Sequence, residues 1–260
     1  MLCLDNRGMS SATSLHSPLH PLLHSSTHAA GHAYKLLAFD TSTETMFIAV
    51  TDGQQTWQHT SEGGAKTSAA LIPAIMAQLK KANLTLQQLD AIVFGRGPGS
   101  FTGLRTACSV AQGLAFGAGG IQVLPVDTLL AVAEEARFSR KSADAMQIQA
   151  VLDARMGEIY AASYAYKAGV WNAISDIQLC KPADLQFETG FQLAGNCLDD
   201  ANRINALPTA TAMLRLAPTM LAAGMGVTAD QALPLYVRDK VAQTTAERAD
   251  LKAQALKSAA

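Results

Sequence analysis

The 260-residue sequence lacks the features that would mark it as a disulfide-bonded, zinc-binding or membrane-spanning protein. Its four cysteines, Cys3, Cys108, Cys180 and Cys197, form no C-x-x-C pair. This spacing argues against a zinc knuckle, a redox dithiol and a disulfide framework. No apolar run reaches the roughly 18 residues that span a bilayer. These absences favour a protein of the reducing cytoplasm.

An excess of charge of one sign is also missing. Twenty basic residues stand against twenty-one acidic residues, for a formal charge of −1. Without excess positive charge the chain cannot neutralise a run of phosphates alone, so unaided nucleic-acid binding is not expected. With 49% hydrophobic residues, the chain can bury a core in one large or two smaller domains. We expect two lobes.

Histidine is nearly confined to residues 1–33, and His59 is the one that lies beyond them. Five histidines recur there at every fourth position: His16, His20, His24, His28 and His32. On a helix their rings would form one stripe able to bind a transition metal. Two prolines and a glycine interrupt such a helix, and polar low-complexity composition favours disorder. We expect residues 1–33 to be a disordered extension, with metal binding as the alternative.

The rest of the sequence shows one pattern twice. The run L-L-A-F-D ends in Asp40 and is followed by hydroxyl residues and the strand-like M-F-I-A-V. The run I-Q-A-V-L-D-A-R contains Asp153 and is followed by the alternating E-I-Y-A-A-S-Y-A-Y. Strand, acid, turn and strand therefore recur, which outlines a duplicated α/β lobe. We place the lobes at residues 34–140 and 141–240, and a tail or helix at residues 241–260.

Two helices are predicted in the first lobe. Residues 68–81 carry apolar side chains at helical spacing, with Thr67 or Ser68 as the cap. The segment after Gly103 is also helical but rich in small residues. Within it, Gly113 weakens the helix by about 1 kcal/mol relative to alanine. We therefore expect a closely packed neighbour to require this glycine.

The segment G-R-G-P-G-S-F-T-G-L-R, residues 95–105, joins a buried strand to the second of these helices. It lacks the Lys-Ser/Thr end of a Walker A loop, and its glycines do not fit G-x-G-x-x-G. Its glycines and backbone N–H groups, at the positive end of a helix, offer a place for an anion. A turn that lets strand and helix pack closely is the alternative, and the sequence leaves both open.

Five segments, in this order and spacing, resemble the TsaB (YeaZ) family of bacteria: F-D-T-S-T, G-R-G-P-G-S-F-T-G-L-R, L-P-V-D-T-L, V-L-D-A-R-M-G-E-I-Y and L-P-L-Y-V-R-D-K-V-A. The resemblance extends over roughly residues 34–245. The resemblance implies an actin-like ATPase fold of the ASKHA, RNase H-like class, with two duplicated α/β lobes. It also implies a cytoplasmic role in making the threonylcarbamoyl adenosine modification next to the tRNA anticodon.

In that family the protein is a non-catalytic dimerisation subunit. The resemblance implies that it pairs with its paralogue TsaD, which carries the transferase site, and that the assembly recruits the ATPase TsaE. It further implies a homodimer as an alternative pairing, contact with tRNA only through the complex, and no contact with a membrane. The H-x-x-x-H metal pair of the paralogue corresponds to about Thr128 and Val132, neither of which is a metal ligand. We therefore expect no catalytic residue and no metal site in the folded part.

The resemblance also implies that the nucleotide site of this fold is eroded. Active members need glycine where the backbone approaches phosphate, whereas this sequence has Ser42 in the first such loop and Arg155 in the second. No cofactor is expected to be required, and weak binding of ATP or ADP stays open. The candidate residues of the vestigial site are Asp40, Thr41, Ser42, Gly97, Gly99, Ser100, Thr102, Arg105, Asp153 and Arg155.

Within this set, Asp40 and Asp153 are either magnesium ligands or turn acids, and the second role is favoured. Arg105 either forms an ion pair with Asp40 or meets an anion, and the ion pair is favoured. Two other functions compete for this fold. A metallopeptidase is disfavoured by the missing metal ligands. A small-molecule kinase is disfavoured by Ser42, by Arg155 and by Cys197, which ends Q-L-A-G-N-C, a segment that resembles an eroded G-x-G turn at the adenine position.

The small-residue faces of the two helices predict a partner interface. Two such helices from each of two related subunits would form a four-helix contact, and packing in the core is the alternative for the same faces. The candidate interface residues are Ala70, Ala74, Ala77, Leu104, Ala107, Ala111, Leu114 and Ala115.

Overall fold

The computed structural model describes residues 33–141 and 145–238. The strands of its first sheet are β1 (Leu36–Asp40), β2 (Thr45–Thr51), β3 (Thr56–Glu62), β4 (Ala91–Gly97) and β5 (Gln122–Asp127). They lie in the order β3-β2-β1-β4-β5. The first three strands form an antiparallel meander, while β4 and β5 run parallel to β1.

The second sheet repeats this arrangement. Its strands are β6 (Ala145–Arg155), β7 (Glu158–Lys167), β8 (Val170–Ala173), β9 (Gln178–Cys180), β10 (Gln192–Gly195) and β11 (Ile204–Asn205). They lie in the order β11-β10-β6-β7-β8, and β9 also pairs with β7. Again a meander of β6, β7 and β8 is followed by two strands parallel to the first. The predicted duplication is therefore present.

In the part of the chain that the structure describes, four α-helices cover the sheets: α1 (Thr67–Lys81), α2 (Phe101–Gly117), α3 (Thr128–Ser139) and α4 (Ala210–Ala222). α1 and α2 pack on one face of the first sheet, and α4 packs on its other face. α3 covers the second sheet and also contacts α4. α4, which belongs by sequence to the range predicted for the second lobe, thus closes the core of the first.

The alternation of side chains along β1 explains this layering. All five residues of β1 are buried, and neighbouring residues point to opposite faces of the sheet. Leu37 and Phe39 pack towards α1 and α2, whereas Leu36 and Ala38 pack towards α4. A short run that is apolar throughout is typical of a strand covered on both faces.

One local prediction in the first lobe is wrong, and the described chain does not supply the neighbour that was expected at Gly113. α1 starts at Thr67 without a side-chain cap, because a preceding 3-10 turn over Gly64–Lys66 runs directly into it. A Cβ added at Gly113 would meet nothing within 4 Å, so no neighbour in the described chain requires that glycine. The predicted histidine stripe and the predicted tail at residues 241–260 lie outside the described residues.

No helix in the described ranges is both long and apolar enough to cross a membrane.

Candidate functional site

A cleft of about 470 Å³ lies between the lobes, where β1 and β6 both end. Five of the predicted nucleotide-site residues line it: Ser42, Gly99, Ser100, Asp153 and Arg155. The other five are absent from its walls: Asp40, Thr41, Gly97, Thr102 and Arg105. The structure therefore brings half of the candidate set together and places the other half behind or beside the cleft.

Asp40 is fully buried and acts as a turn acid. Its Oδ1 accepts hydrogen bonds from the backbone N–H of Ser42 at 2.9 Å and from its hydroxyl at 2.7 Å. Its Oδ2 accepts no hydrogen bond from the described residues and faces Gly95. Burial raises the pKa of Asp40 to about 7, although both hydrogen bonds from Ser42 oppose the rise. This position suits a structural acid better than a magnesium ligand in the cleft.

The glycines of residues 95–105 serve close packing. A Cβ at Gly103 would lie 1.9 Å from the carbonyl oxygen of Thr41, and one at Gly95 would lie 1.8 Å from Oδ2 of Asp40. The loop is also tied to the end of β1 by hydrogen bonds: Ser100 N–H donates to Ser42 O at 2.8 Å, and the Thr41 hydroxyl donates to Gly103 O at 2.7 Å. The packing alternative thus has direct geometric support.

Arg105 does not meet Asp40, so the expected ion pair is wrong. Its Nε donates to the hydroxyl of Tyr236 at 3.1 Å, and its guanidinium lies 3.8 Å from the ring centre of Phe101. Asp40 is fully buried, whereas these contacts hold Arg105 beside the C-terminal residues.

The turn between β6 and β7 carries the acid of the second lobe. Asp153 accepts a hydrogen bond from the backbone of Arg155 at 2.9 Å, which again makes it a turn acid. The side chain of Arg155 forms an ion pair with Glu44 of the first lobe. Both residues line the cleft. The side chain of Arg155 therefore lies at the cleft, where it was expected to obstruct phosphate.

A C-terminal strap, residues 232–238, crosses from the first lobe to the second beside the cleft. Leu235 N–H donates to Arg96 O at 2.7 Å, and the ring of Tyr236 lies 5.2 Å from that of Phe101. Arg238 then donates to Ala154 O at 2.9 Å and to Glu158 at 2.6 Å in the second lobe. The strap therefore covers the glycine loop and fastens the two lobes together.

Sequence reasoning missed several residues that line the cleft: Glu44, Tyr160, Asn196, Tyr236 and Arg238. The last two lie in L-P-L-Y-V-R-D-K-V-A, one of the five segments that carry the family resemblance, so the signal was in the sequence. Its position at the C-terminal end of the range predicted for the second lobe gave no indication that it returns to the cleft.

Half of the predicted interface residues lie in the core. Ala107, Ala111 and Ala115 are fully buried and Leu104 is 2% exposed, because α2 presents its small residues to the first sheet. Assigning these four to a partner surface is wrong, since the chain itself already covers them. Ala70, Ala74 and Leu114 are partly buried against the same core, and Ala77 is exposed.

The outward side of α1 and α2 carries different residues, which we call the exposed helix face: Ile72, Met76, Gly113, Phe116 and Gly117. Phe116 is 82% exposed, and Ile72 and Met76 are each nearly half exposed. A Cβ at either glycine would meet nothing within 4 Å. Large apolar side chains beside bare helix backbone favour close contact with another helix.

In residues 33–141 and 145–238, no three His, Cys, Asp or Glu side chains are grouped as metal ligands.

Comparison with solved structures defines the class of protein. A structure described as YeaZ from Pseudomonas aeruginosa is similar, with a TM-score of 0.70, 32% identity, and coverage of 78% of this chain and 99% of that one. A second structure, described as an uncharacterized protein with similarity to peptidase YEAZ from the same organism, has a TM-score of 0.71 and 33% identity. The fold is the actin-like ATPase fold, with two duplicated α/β lobes around a cleft.

Sequence comparison narrows this class to a family. Residues 50–259 match the family model described as TsaD, tRNA N6-adenosine threonylcarbamoyltransferase. The "tRNA threonylcarbamoyladenosine biosynthesis protein TsaB" of Haemophilus influenzae is 35% identical, covering 79% of this chain and 94% of that protein. The protein of the same name from Escherichia coli is 32% identical, covering 80% of this chain and 96% of its own length. The chain belongs to the TsaB (YeaZ) family.

Proposed function

We propose that this chain is a non-catalytic dimerisation subunit of the cytoplasmic assembly that transfers threonylcarbamoyl to the adenosine next to the tRNA anticodon. Its partner is TsaD, the catalytic paralogue, and the pair recruits the ATPase TsaE. The names of its relatives place them in threonylcarbamoyladenosine biosynthesis. The chain reaches tRNA only through the complex, and a homodimer on the same surface is the competing state.

The exposed helix face is the observation that carries this proposal. It combines three exposed apolar side chains with Gly113 and Gly117, whose backbone has open space in front of it. A glycine inside a helix costs about 1 kcal/mol relative to alanine. Nothing within the described chain explains that cost, whereas a partner helix that packs against the bare backbone would. The partner is therefore a protein that presents helices.

We predict that Phe116→Asp disrupts the complex with TsaD and leaves the isolated chain folded. The side chain is 82% exposed, so the change in unfolding free energy should stay within about 0.5 kcal/mol. Loss of a large apolar anchor and burial of a charge should weaken binding by at least about thirtyfold. Co-purification through a tag on this chain, followed by titration of the two purified proteins, measures the effect.

Phe187→Asp is the matched control. Phe187 is 62% exposed and lies in the second lobe, away from α1 and α2, so this variant should bind TsaD normally. Both variants are then assayed for threonylcarbamoyl transfer to tRNA with TsaD and TsaE. Equal binding by the two variants would rule out the exposed helix face, and turnover by this chain without TsaD would rule out the non-catalytic role.

The same proposal includes a cleft that requires no cofactor and binds ATP or ADP only weakly. Packing of the glycine loop against β1, the ion pair between Arg155 and Glu44, and the strap support it. We predict a dissociation constant in the millimolar range, about −4 kcal/mol, for ATP with magnesium. Isothermal titration of the full chain measures it, and a micromolar value that Asp153→Asn weakens would contradict the eroded site and favour a kinase-like function.

A further inference from the structure

A second cavity, of about 660 Å³, lies apart from the cleft, between the edge strand β5, helices α3 and α4, and the hairpin of β7 and β8. Its apolar walls include Pro125, Leu130, Trp171, Leu216, Met220 and Met225. Its volume falls within the range of about 300 to 1,000 Å³ that small-molecule sites occupy. Both lobes contribute to it, so an occupant would contact both.

One wall of this cavity is aromatic and fixed in place. The ring of Trp171 lies 6.5 Å from that of Tyr164, edge to face, and 5.1 Å from that of Tyr166. Its Nε1 donates to Glu134 at 3.0 Å, and the guanidinium of Arg137 lies 4.4 Å from the ring centre of Tyr166. A pre-ordered aromatic wall favours a planar apolar group, because little side-chain freedom is lost on binding.

The buried acid of the cavity, Glu134, already forms ion pairs with two arginines. Glu134 accepts hydrogen bonds from Arg137 at 2.8 and 2.9 Å and from Arg215 at 2.8 Å. Burial raises the pKa of Glu134, but the hydrogen bonds from Arg137, Trp171 and Arg215 outweigh burial, and the pKa lies below its ordinary value. The carboxylate therefore stays charged and paired, and it leaves no negative charge for a cationic ligand.

Arg96 supplies the unused donor groups. Its Nε donates to Asp127 at 2.5 Å, while its two Nη atoms have no hydrogen-bond partner within the described residues. The side chain is 34% exposed and lines the cavity. A guanidinium has five N–H groups in a planar fork that matches a carboxylate. The charge of Arg96 is paired with Asp127, but its Nη groups can still donate hydrogen bonds to one anionic group at this end, beside the aromatic wall.

We propose that this cavity is a binding site for a small planar apolar molecule that carries one carboxylate. The planar part packs against Trp171, and the carboxylate accepts hydrogen bonds from Arg96. The site is separate from the cleft and from the exposed helix face, so it does not depend on the proposed function.

The chain offers an internal control for the test, because it has two tryptophans. Trp171 lies in the cavity wall, whereas Trp57 lies on β3, at the opposite edge of the first sheet from β5. Titration of the ¹⁵N-labelled full chain with 1-naphthaleneacetate should shift the indole N–H signal of Trp171 and leave that of Trp57 in place. The neutral 1-naphthaleneacetamide should bind about tenfold more weakly, and acetate alone should shift neither signal.

Two variants complete the test. Arg96→Gln should weaken the binding of naphthaleneacetate by about tenfold and leave the affinity for the amide unchanged. Arg105→Gln, the same change on α2, should alter the affinity for neither probe. Thr219→Phe, which adds bulk to the cavity wall, should abolish the binding of both. Equal shifts at the two tryptophans, no shift up to the solubility limit, or equal affinity for acid and amide would each overturn the proposal. An unchanged Trp57 signal in each variant verifies the fold.

Discussion

Gly103→Ala is expected to destabilise the folded chain by on the order of 3 kcal/mol. The added Cβ would lie 1.9 Å from the carbonyl oxygen of Thr41, and that atom belongs to the backbone at the end of β1. A flexible side chain could move aside, but this carbonyl is held where the chain leaves a fully buried strand. Either β1 or the start of α2 must shift, which would disturb the core between them.

Gly113→Ala, in the same helix, is the matched control, and it should change the free energy of unfolding in the opposite direction. A Cβ there meets nothing within 4 Å, so the substitution removes only the cost of glycine in a helix and stabilises the isolated chain by about 1 kcal/mol. Urea unfolding of both variants measures the two changes. Similar free energies for the two variants would contradict the packing role of the glycine loop. If the exposed helix face binds TsaD, Gly113→Leu should also weaken the complex.

The strands were predictable because their signals are local. The run L-L-A-F-D is buried on both faces of a central strand, and the duplicated pattern marks the first strand of each lobe. The strap was not predictable in the same way, because its contacts join distant parts of the chain. Arg105 and Tyr236 are 131 residues apart, and no spacing rule connects them. Only packing of the two lobes brings the strap to the cleft.

The partner surface was misplaced for a related reason. Small residues on a helix permit close approach, but the pattern does not indicate what approaches. Ala111 faces the sheet of its own lobe, whereas Gly113, two residues later, faces solvent. In α1 the apolar side chains at helical spacing do not share one environment, because Ile75 is buried and Met76 is 47% exposed. The apolar stripe of α1 is wider than the surface that the sheet can cover, and this width was the signal in the sequence for an exposed apolar face.

Raising the pH is expected to destabilise the chain through Asp40. Burial raises the pKa of this carboxyl from its ordinary 3.8 to about 7, so the folded state holds a proton that the unfolded state releases above about pH 4. The stabilisation is complete below the unfolded pKa and is lost as the pH rises through 7. Between about pH 5 and pH 8.5 the loss should amount to about 3 kcal/mol.

Asp40→Asn should remove this contribution. The amide oxygen of asparagine can still accept the hydrogen bonds from Ser42, and no charge is buried at high pH. Other groups titrate in both proteins, so the difference in unfolding free energy between wild type and variant, measured by urea at each pH, isolates Asp40. Asp153→Asn, the same change at the exposed turn of the other lobe, leaves Asp40 in place and should keep the wild-type dependence. If the difference between wild type and Asp40→Asn stays constant from pH 5 to pH 8.5, Asp40 is ionised in the fold throughout, and its Oδ2 must have a cationic or hydrogen-bonding partner.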